Sequence, residues 1–207
     1  MVCYLGHPEA AQSNCPAKTY PEVYAENREK YLEKGAKTLM LAAAYVESTG
    51  YMKWTRVQEL VEFARFLNIK NIGIASCIGL QQEGSTLARV LEDLGFNATH
   101  VCCKTGSFNK EDLGVPKEYK LRSEAEFEAA CNPIVQAQIC NKEKTDLNVI
   151  VGLCIGHDIL FTKFSEAPVT TLIVKDRVTG HNPAAALYSS YHRAKILGKP
   201  SRYPPSK

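Results

Sequence analysis

Two short apolar stretches, each followed by the same Cys-Ile-Gly sequence, set the strongest limit on the fold of this chain of 207 residues. Residues 71–76 lead into Cys77-Ile-Gly79, residues 147–153 lead into Cys154-Ile-Gly156, and a helical pattern follows each turn. A further apolar stretch then comes at 98–103 and at 169–174. Strand, helix and strand in this order form a βαβ unit, whose two strands are parallel. The sequence therefore predicts an α/β fold with a Rossmann-like parallel sheet and an internal pseudo-repeat.

The residues before the first strand predict two N-terminal helices. The first covers 23–46 and is broken at Gly50, and the second begins at Thr55, which has the spacing of a capping box with Gln58. Prolines interrupt the residues before these helices, so that segment is expected to be irregular. The expected parts are an irregular cysteine-containing segment 1–21, a single α/β metal-binding domain 22–195 and a Pro-rich basic tail 196–207.

The connections in the second half of the chain carry their own local signals. Residues 104–122 are polar and rich in turn formers, which predicts a long loop. Ser123 and Glu126 have the spacing of a capping box and predict a short helix. Asn132-Pro133 and Asn182-Pro183 each combine a capping residue with a proline, which predicts helices that end near 141 and 195.

The composition excludes several classes of protein. The 25 Lys and Arg residues against 22 Asp and Glu leave a net charge of +3, too small for a polybasic nucleic-acid binder. The 45% of hydrophobic residues can form a core, while no apolar run approaches the ~18 residues of a membrane span. No export signal is apparent at the N-terminus, so we expect a cytoplasmic protein with reduced thiols. Its eight cysteines are then metal ligands, reactive thiols or packing residues.

Four of the cysteines fall where strands end or helices begin. Cys77 and Cys154 open the two Cys-Ile-Gly turns, Cys103 ends a strand, and Cys131 precedes a predicted helix. In a parallel sheet, ligand sites lie outside the carboxyl ends of the strands, and a helix N-terminus stabilises a thiolate. Four such thiolates suit an iron–sulfur cluster, with 4Fe-4S as the expected form, or a closed zinc site as the alternative.

Two other cysteines are expected to be packing residues. Cys102 is adjacent to Cys103 on a strand, so their side chains point to opposite faces of the sheet. Cys140 lies nine residues beyond Cys131 and faces the other side of the same predicted helix. Neither can readily serve the site that the other four would form.

Further polar residues are candidates for catalysis or binding. His157 and Asp158 directly follow the second Cys-Ile-Gly turn, where they can supply a ligand or a proton, or simply begin a helix. Lys175 and Arg177 follow a buried strand and are candidates for holding an anionic ligand, or they pair with their neighbours. A second, weaker candidate metal site lies near the N-terminus and consists of Cys3, His7 and Cys15.

The order of these motifs resembles a family of uncharacterised bacterial and archaeal proteins, many from anaerobes, that are described as metal-binding. The similarity extends from about Tyr51 to Tyr188 and includes Cys77-Ile-Gly-Leu80, Cys103-Lys-Thr-Gly106, Cys131-Asn-Pro133, Gly152-Leu-Cys-Ile-Gly-His-Asp158, Lys175-Asp-Arg177 and His181-Asn-Pro183. The resemblance implies that the four cysteines in these motifs bind metal. Family members often begin with a denser cysteine cluster ending in Cys-Pro, of which this chain retains Cys3 and Cys15-Pro16.

Three functions are compatible with these residues. The leading one is metal binding by the four cysteines, with redox or Lewis-acid chemistry on a small-molecule substrate or toward an electron-transfer partner. The second is metal-free thiol or redox catalysis, with Cys77 or Cys154 as nucleophile and His157 as acid–base partner. The third is a non-catalytic module for a nucleotide or another small anion, which ranks lower because neither G-x-G-x-x-G nor the Walker pattern occurs. Nucleic acid and membrane are not expected partners.

Overall fold

The computed structural model describes residues 2–199. The chain divides into two compact units, Met1–Leu67 and Asn68–Lys207. The division after Leu67 falls inside the range 22–195, for which the sequence predicts one domain. The domain boundaries expected from the sequence stay a prediction.

The first unit is helical. Its helices are α1 (Pro16–Thr19), α2 (Pro21–Arg28), α3 (Lys34–Gly50) and α4 (Arg56–Phe66), with 3-10 turns at Val2–Leu5, Pro8–Ala10 and Glu29–Leu32. The single helix predicted for 23–46 is wrong, because Glu33 has extended backbone with a ψ of 141° just before α3. A residue in that conformation cannot continue helical hydrogen bonding. The predicted break at Gly50 is confirmed, since α3 ends there.

The start of α4 is confirmed as a reciprocal cap. Gln58 N donates to the Thr55 hydroxyl at 3.3 Å, and Thr55 N donates to Gln58 Oε1 at 2.8 Å. Aromatic rings join α3 and α4, since Tyr45 stacks on Phe66 with ring centroids 5.1 Å apart and meets Trp54 edge-on at 6.2 Å. The cap and the rings together fix the turn between these two helices.

The second unit is built on a four-stranded sheet. Its strands are β1 (Asn71–Ser76), β2 (Asn97–Cys102), β3 (Leu147–Val151) and β4 (Val169–Ile173), and its helices are α5 (Gln81–Asp93), α6 (Pro133–Lys142), α7 (His157–Phe164), α8 (Ala184–Tyr188) and α9 (Ser190–Ile196). The strand order is β2-β1-β3-β4, and every pair is parallel. The predicted α/β fold with a Rossmann-like parallel sheet is confirmed.

The central strands β1 and β3 form the core of this unit. Ile72, Ile74, Val149 and Val151 are completely buried, and the residues between them in sequence are buried too, which means that both faces of the sheet are covered. Strands buried on both faces are apolar at successive positions, and this explains the continuous apolar runs in the sequence. The residues of β4 are half-buried or exposed, as befits an edge strand.

The four strands end level with one another at the carboxyl edge of the sheet. The register pairs Ser76 with Cys102 on one side and with Val151 on the other, and it pairs Val151 with Ile173. The chain leads from β1 to β2 in one direction and from β3 to β4 in the opposite direction. The topological switch point, where open α/β sheets bind their ligands, therefore lies between the ends of β1 and β3.

The loop between β2 and α6 differs from the prediction. The short helix expected from Ser123 and Glu126 is wrong, because residues 123–126 form turns and the Ser123 hydroxyl donates to the Glu124 carboxylate at 3.4 Å. The carboxylate of Glu128 accepts from the backbone N–H groups of residues 121 and 122, at 3.3 and 3.0 Å. These tertiary contacts hold the chain in a non-helical path and override the local signal.

The helix α6 begins where Asn132-Pro133 predicts a helix start. The side chain of Asn132 does not cap the helix, because its Nδ2 donates to the carbonyl oxygen of Thr105. The residue before α6 thus ties that helix to the loop after β2.

The last predicted helix is divided in two. Ser189 separates α8 from α9, and its hydroxyl caps α9 by accepting from His192 N at 3.4 Å. Most of the predicted tail, residues 200–207, lies outside the described residues. From residue 2 to residue 199, no helix combines the length and the apolar character that a membrane crossing requires.

The packing at the end of β3 depends on Gly152, which predicts a selective sensitivity to alanine. Gly152 has a φ of +69°, and an added Cβ would lie 2.0 Å from Leu80 Cδ1. Gly95 is a matched control, because its φ is +88° and nothing lies within 4 Å of an added Cβ. We expect Gly95→Ala to lower the free energy of unfolding by ~1–2 kcal/mol through the backbone alone. We expect Gly152→Ala to lower it by a further ~1–3 kcal/mol through overpacking.

Urea denaturation of the full chain, followed by circular dichroism, measures both losses. Equal losses for Gly152→Ala and Gly95→Ala would contradict the close approach of Leu80 to the end of β3.

Candidate functional site

Two cysteines continue the sheet by one position beyond its strands. Cys103 directly follows β2, and its N–H donates to Ser76 O at 2.8 Å. Cys77 directly follows β1, and its N–H donates to Val151 O at 3.2 Å. Because these bonds extend the parallel ladder, the two cysteines are fixed by the register of the sheet itself.

The other two cysteines of the predicted quartet reach the same edge by different routes. Cys131 arrives at the end of a long loop, where the N–H of Asn132 donates to Cys103 O at 2.8 Å. Cys154 follows β3 and precedes α7. Both pack, half-buried, against the apolar cluster that contains Cys77 and Cys103. We call the carboxyl edge that carries these four cysteines the thiol edge.

The thiol of Cys103 lies between two other sulfurs. It hydrogen-bonds with Cys131 and with Cys77, and the backbone N–H of Ile78 donates to its Sγ at 3.2 Å. Hydrogen bonding to Cys131 and Cys77, together with burial, raises the pKa of Cys103 far above its ordinary value. Hydrogen bonding with Cys103 lowers the pKa of Cys77 to about 5 and that of Cys131 to about 4. The three thiols therefore form one hydrogen-bonded cluster whose protonation is shared.

Positive groups reinforce the two thiolates. His157 hydrogen-bonds with Cys131, and this contact raises the pKa of the imidazole. The charge of Lys104 also lowers the pKa of Cys131, and the charge of Lys175 lowers that of Cys77. Burial acts in the opposite direction on both thiols, but the hydrogen bonds from Cys103 outweigh it.

The two cations that follow β4 reach across the thiol edge. An added Cβ on Gly152 would lie 3.5 Å from Lys175 Cδ, and one on Gly79 would lie 3.1 Å from Lys175 Nζ. The absence of these side chains lets the ammonium extend from β4 to the turn after β1. Arg177 Nη2 donates to Cys154 Sγ at 3.0 Å, and this bond raises the pKa of the guanidinium.

The carboxylates near these cations form hydrogen bonds within their own segments. Asp176 accepts from the N–H groups of Val178 and Thr179 at 2.8 and 3.0 Å, and hydrogen bonds with Thr179 and Val178 lower its pKa. The carboxylate of Asp158 accepts from Ile159 N at 2.8 Å, within α7. Both aspartates therefore have local hydrogen-bond partners. The side chains that interact with the sulfurs are instead cationic and include His157, Lys175 and Arg177.

The second candidate metal site is not assembled. Cys3 is exposed, His7 hydrogen-bonds with the exposed carboxylate of Glu9 at 3.2 Å, and Cys15 precedes the first residue of α1. Within the described part of the chain, no group of three or more His, Cys, Asp or Glu side chains is arranged to hold a metal ion. Among residues 2–199, neither the N-terminal trio nor the thiol edge forms such a group.

The remaining two cysteines differ from the quartet in their surroundings. Cys140 is completely buried in α6, and burial raises the pKa of its thiol to about 11. Cys102 is half-buried at the last position of β2, next to Cys103 in sequence. Both are free thiols, and they serve as internal comparisons for the thiol edge.

Two residues of the site were not predicted from the sequence, Gln136 and Lys104. Gln136 is completely buried in α6, and its Nε2 donates to Val101 O at 2.7 Å and to Ser76 O at 3.1 Å. It thus ties together the ends of β1 and β2. A lone amide among the apolar residues of a short helix is the signal that could have identified it. Lys104 directly follows a candidate ligand, but its effect on Cys131 depends on the fold.

The contact between His157 and Cys131 predicts how alkylation depends on pH. In reduced, metal-free protein, modification of Cys131 should continue well below pH 6, because its pKa is lowered to about 4. We expect His157→Gln to raise the midpoint of that profile by about 1 pH unit, since a charged hydrogen-bond partner is lost. Peptide mass spectrometry of iodoacetamide-treated full chain gives the midpoint for each cysteine.

The control for this experiment is His192→Gln, in α9, whose ring packs on Tyr191. It should leave the profile unchanged. An ordinary thiol midpoint for Cys131 in the unmodified sequence would contradict the described contacts.

Comparison with known proteins assigns this chain to a family. The family described as "Protein of unknown function (DUF1847)" matches residues 15–172, a range that contains the four cysteines of the thiol edge and His157. An uncharacterized protein of Methanocaldococcus jannaschii is 48% identical over 169 residues, which cover 82% of this chain and 85% of the relative. No solved structure matches the chain. The protein therefore belongs to the DUF1847 family of proteins of unknown function.

Proposed function

We propose that this protein holds an iron–sulfur cluster on Cys77, Cys103, Cys131 and Cys154. The observation that carries the proposal is the gathering of four thiols, far apart in sequence, at the carboxyl edge of one parallel sheet. That edge is where open α/β sheets bind their ligands. Thiolates dispersed over several loops are a common ligand set for such clusters.

The surroundings of the sulfurs suit bound thiolates. Cys103 accepts from the N–H of Ile78, Cys154 accepts from Arg177, and Cys77 has a backbone hydrogen bond with Gly79. N–H groups directed at metal-bound sulfur stabilise its negative charge and set the potential of a cluster. The lowered pKa values of Cys77 and Cys131 show the same preference for the charged form.

A closed zinc site on the same four thiolates is the alternative. A structural zinc ion binds four ligands around one centre, at ~2.0–2.3 Å, whereas a cluster spreads its thiolates over several iron atoms. When bound, it would supply electron transfer to a partner protein or Lewis-acid chemistry on a small substrate.

A second candidate function is metal-free thiol catalysis, and the contact between Cys131 and His157 favours it. A thiolate beside an imidazole is the arrangement of an activated nucleophile. This changes the roles expected from the sequence, because His157 hydrogen-bonds with Cys131 and not with Cys77 or Cys154. The neighbouring thiol of Cys103 would act as the second sulfur in disulfide exchange.

Both functions require a reducing compartment, for which the cytoplasm is our proposal. All eight cysteines are free thiols in the structure. Thiols persist in the cytoplasm, whereas exported proteins tend to form disulfides.

Iron loading tests the first function. After anaerobic reconstitution with iron and sulfide, we expect about four iron atoms and four sulfides per chain. Cys131→Ser and Cys154→Ser should each lose most of this iron, because each removes one ligand. Cys102→Ser is the matched control, since it changes a neighbouring half-buried cysteine and should load fully.

Iron and sulfide analysis, with the visible absorption of the cluster, measures the loading. Equal loading in all three variants, or no loading of the unmodified chain, would refute the proposal. A colourless protein in which Cys131 alone is labelled stoichiometrically at neutral pH would support thiol catalysis instead.

A further inference from the structure

Several cationic side chains lie around the sulfurs of the thiol edge. The positive side chains that act on its sulfurs are Lys104, Lys175, Arg177 and His157. Cationic side chains gathered at one edge contribute a positive potential that attracts a negatively charged ligand.

The carboxylates of the adjoining segments have their hydrogen-bond partners within those segments. Asp176 is bound by the N–H groups of its own loop, and Asp158 is bound within α7. In the part of the chain that the structure describes, neither forms an ion pair with Lys175 or Arg177. These carboxylates therefore do not engage the donors of the two cations after β4.

The ammonium of Lys175 is available to a ligand. It is half-buried over the turn after β1, and no hydrogen-bond acceptor is found for it among residues 2–199. Arg177 is exposed and donates to Cys154 through Nη2, so other N–H groups of the guanidinium remain for a second acceptor. Polar groups that are shielded from solvent are usually hydrogen-bonded. A half-buried ammonium without an acceptor among the residues described is therefore suited to binding an acceptor on a ligand.

The ammonium of Lys175 lies where open α/β sheets bind their ligands. The stem of Lys175 passes Gly152 at the end of β3, and its head lies over Gly79 beyond the end of β1, so it crosses the switch point. The turns on both sides are open, since Ile78 is 50% and Ile155 is 92% exposed. A small molecule can therefore approach the two cations from solvent.

We propose that the thiol edge binds a small anionic molecule, a carboxylate or a phosphate, between Lys175 and Arg177 at the switch point. Lys175 donates from its ammonium, and Arg177 donates the N–H groups that Cys154 does not use. The site consists of side chains that are present without metal, so it goes beyond the proposed cluster and can be tested separately.

Calorimetric titration of the metal-free full chain, at constant ionic strength, tests this inference. The probes are inorganic phosphate, malonate and malonamide, which is a neutral analogue of malonate. We expect saturable binding of phosphate or of malonate and none of malonamide. The anion that binds more tightly identifies the chemical class of the natural ligand.

Variants then locate the site. Lys175→Met keeps the aliphatic stem and should weaken binding about tenfold or more, because a charged hydrogen bond is lost. Lys175→Arg should keep the affinity within a few-fold. Lys163→Met, on the exposed surface of α7, is the control for a general loss of charge and should leave the affinity unchanged. Circular dichroism establishes that each variant is folded.

Three results would overturn the inference: no saturable binding of either anion, unchanged affinity in Lys175→Met, or an equal loss in Lys163→Met. Iron loading of Lys175→Met, measured in parallel, reports the cluster on its own. A variant that loads iron but does not bind the anion would separate the two proposals.

Discussion

The level ending of the parallel strands is the constraint on which the rest of the site depends. Ser76 is paired with Cys102 and with Val151, so the residues that follow β1 and β2 emerge side by side. The backbone hydrogen bonds of Cys77 and Cys103 continue the ladder of the sheet and hold the backbone of these two residues in register with it. A shift of register would change the face and the height of every group at this edge. Chemistry that needs a rigid set of sulfurs is well served by such an edge.

Electrostatic balance is the second condition for collecting four thiols. Buried sulfur prefers to be neutral, so thiolates form there only when hydrogen bonds and cations offset the loss of water. Cys103 hydrogen-bonds with its two neighbouring thiols, and the charges that follow β2 and β4 act on the sulfurs from both sides. The same features serve a bound cluster and a free nucleophile, which is why the two functions share one site.

The sheet and the expectation that the four cysteines lie near its carboxyl edge follow from local signals in the sequence. Apolar runs predict β1 and β3, and the cysteines directly beyond strand ends are predicted to lie at the carboxyl edge. The place of Cys131 depends on a long loop that closes through the hydrogen bond to Cys103 O, and no local pattern encodes this contact. The hydrogen bond between His157 and Cys131 depends on the position that this loop gives Cys131, so it could not be predicted from the sequence either. The helix expected at Ser123 does not form because the carboxylate of Glu128, in the same loop, accepts from the backbone N–H groups of residues 121 and 122.

The central claim is that the four thiols of the edge bind one iron–sulfur cluster. Anomalous diffraction at the iron absorption edge, from crystals of the reconstituted full chain, tests it most directly because it locates iron without assuming a ligand. We expect one compact group of iron atoms bonded to the Sγ atoms of Cys77, Cys103, Cys131 and Cys154. Iron bound elsewhere, for example at Cys3 and Cys15, or a thiol edge without iron in fully loaded crystals, would contradict it.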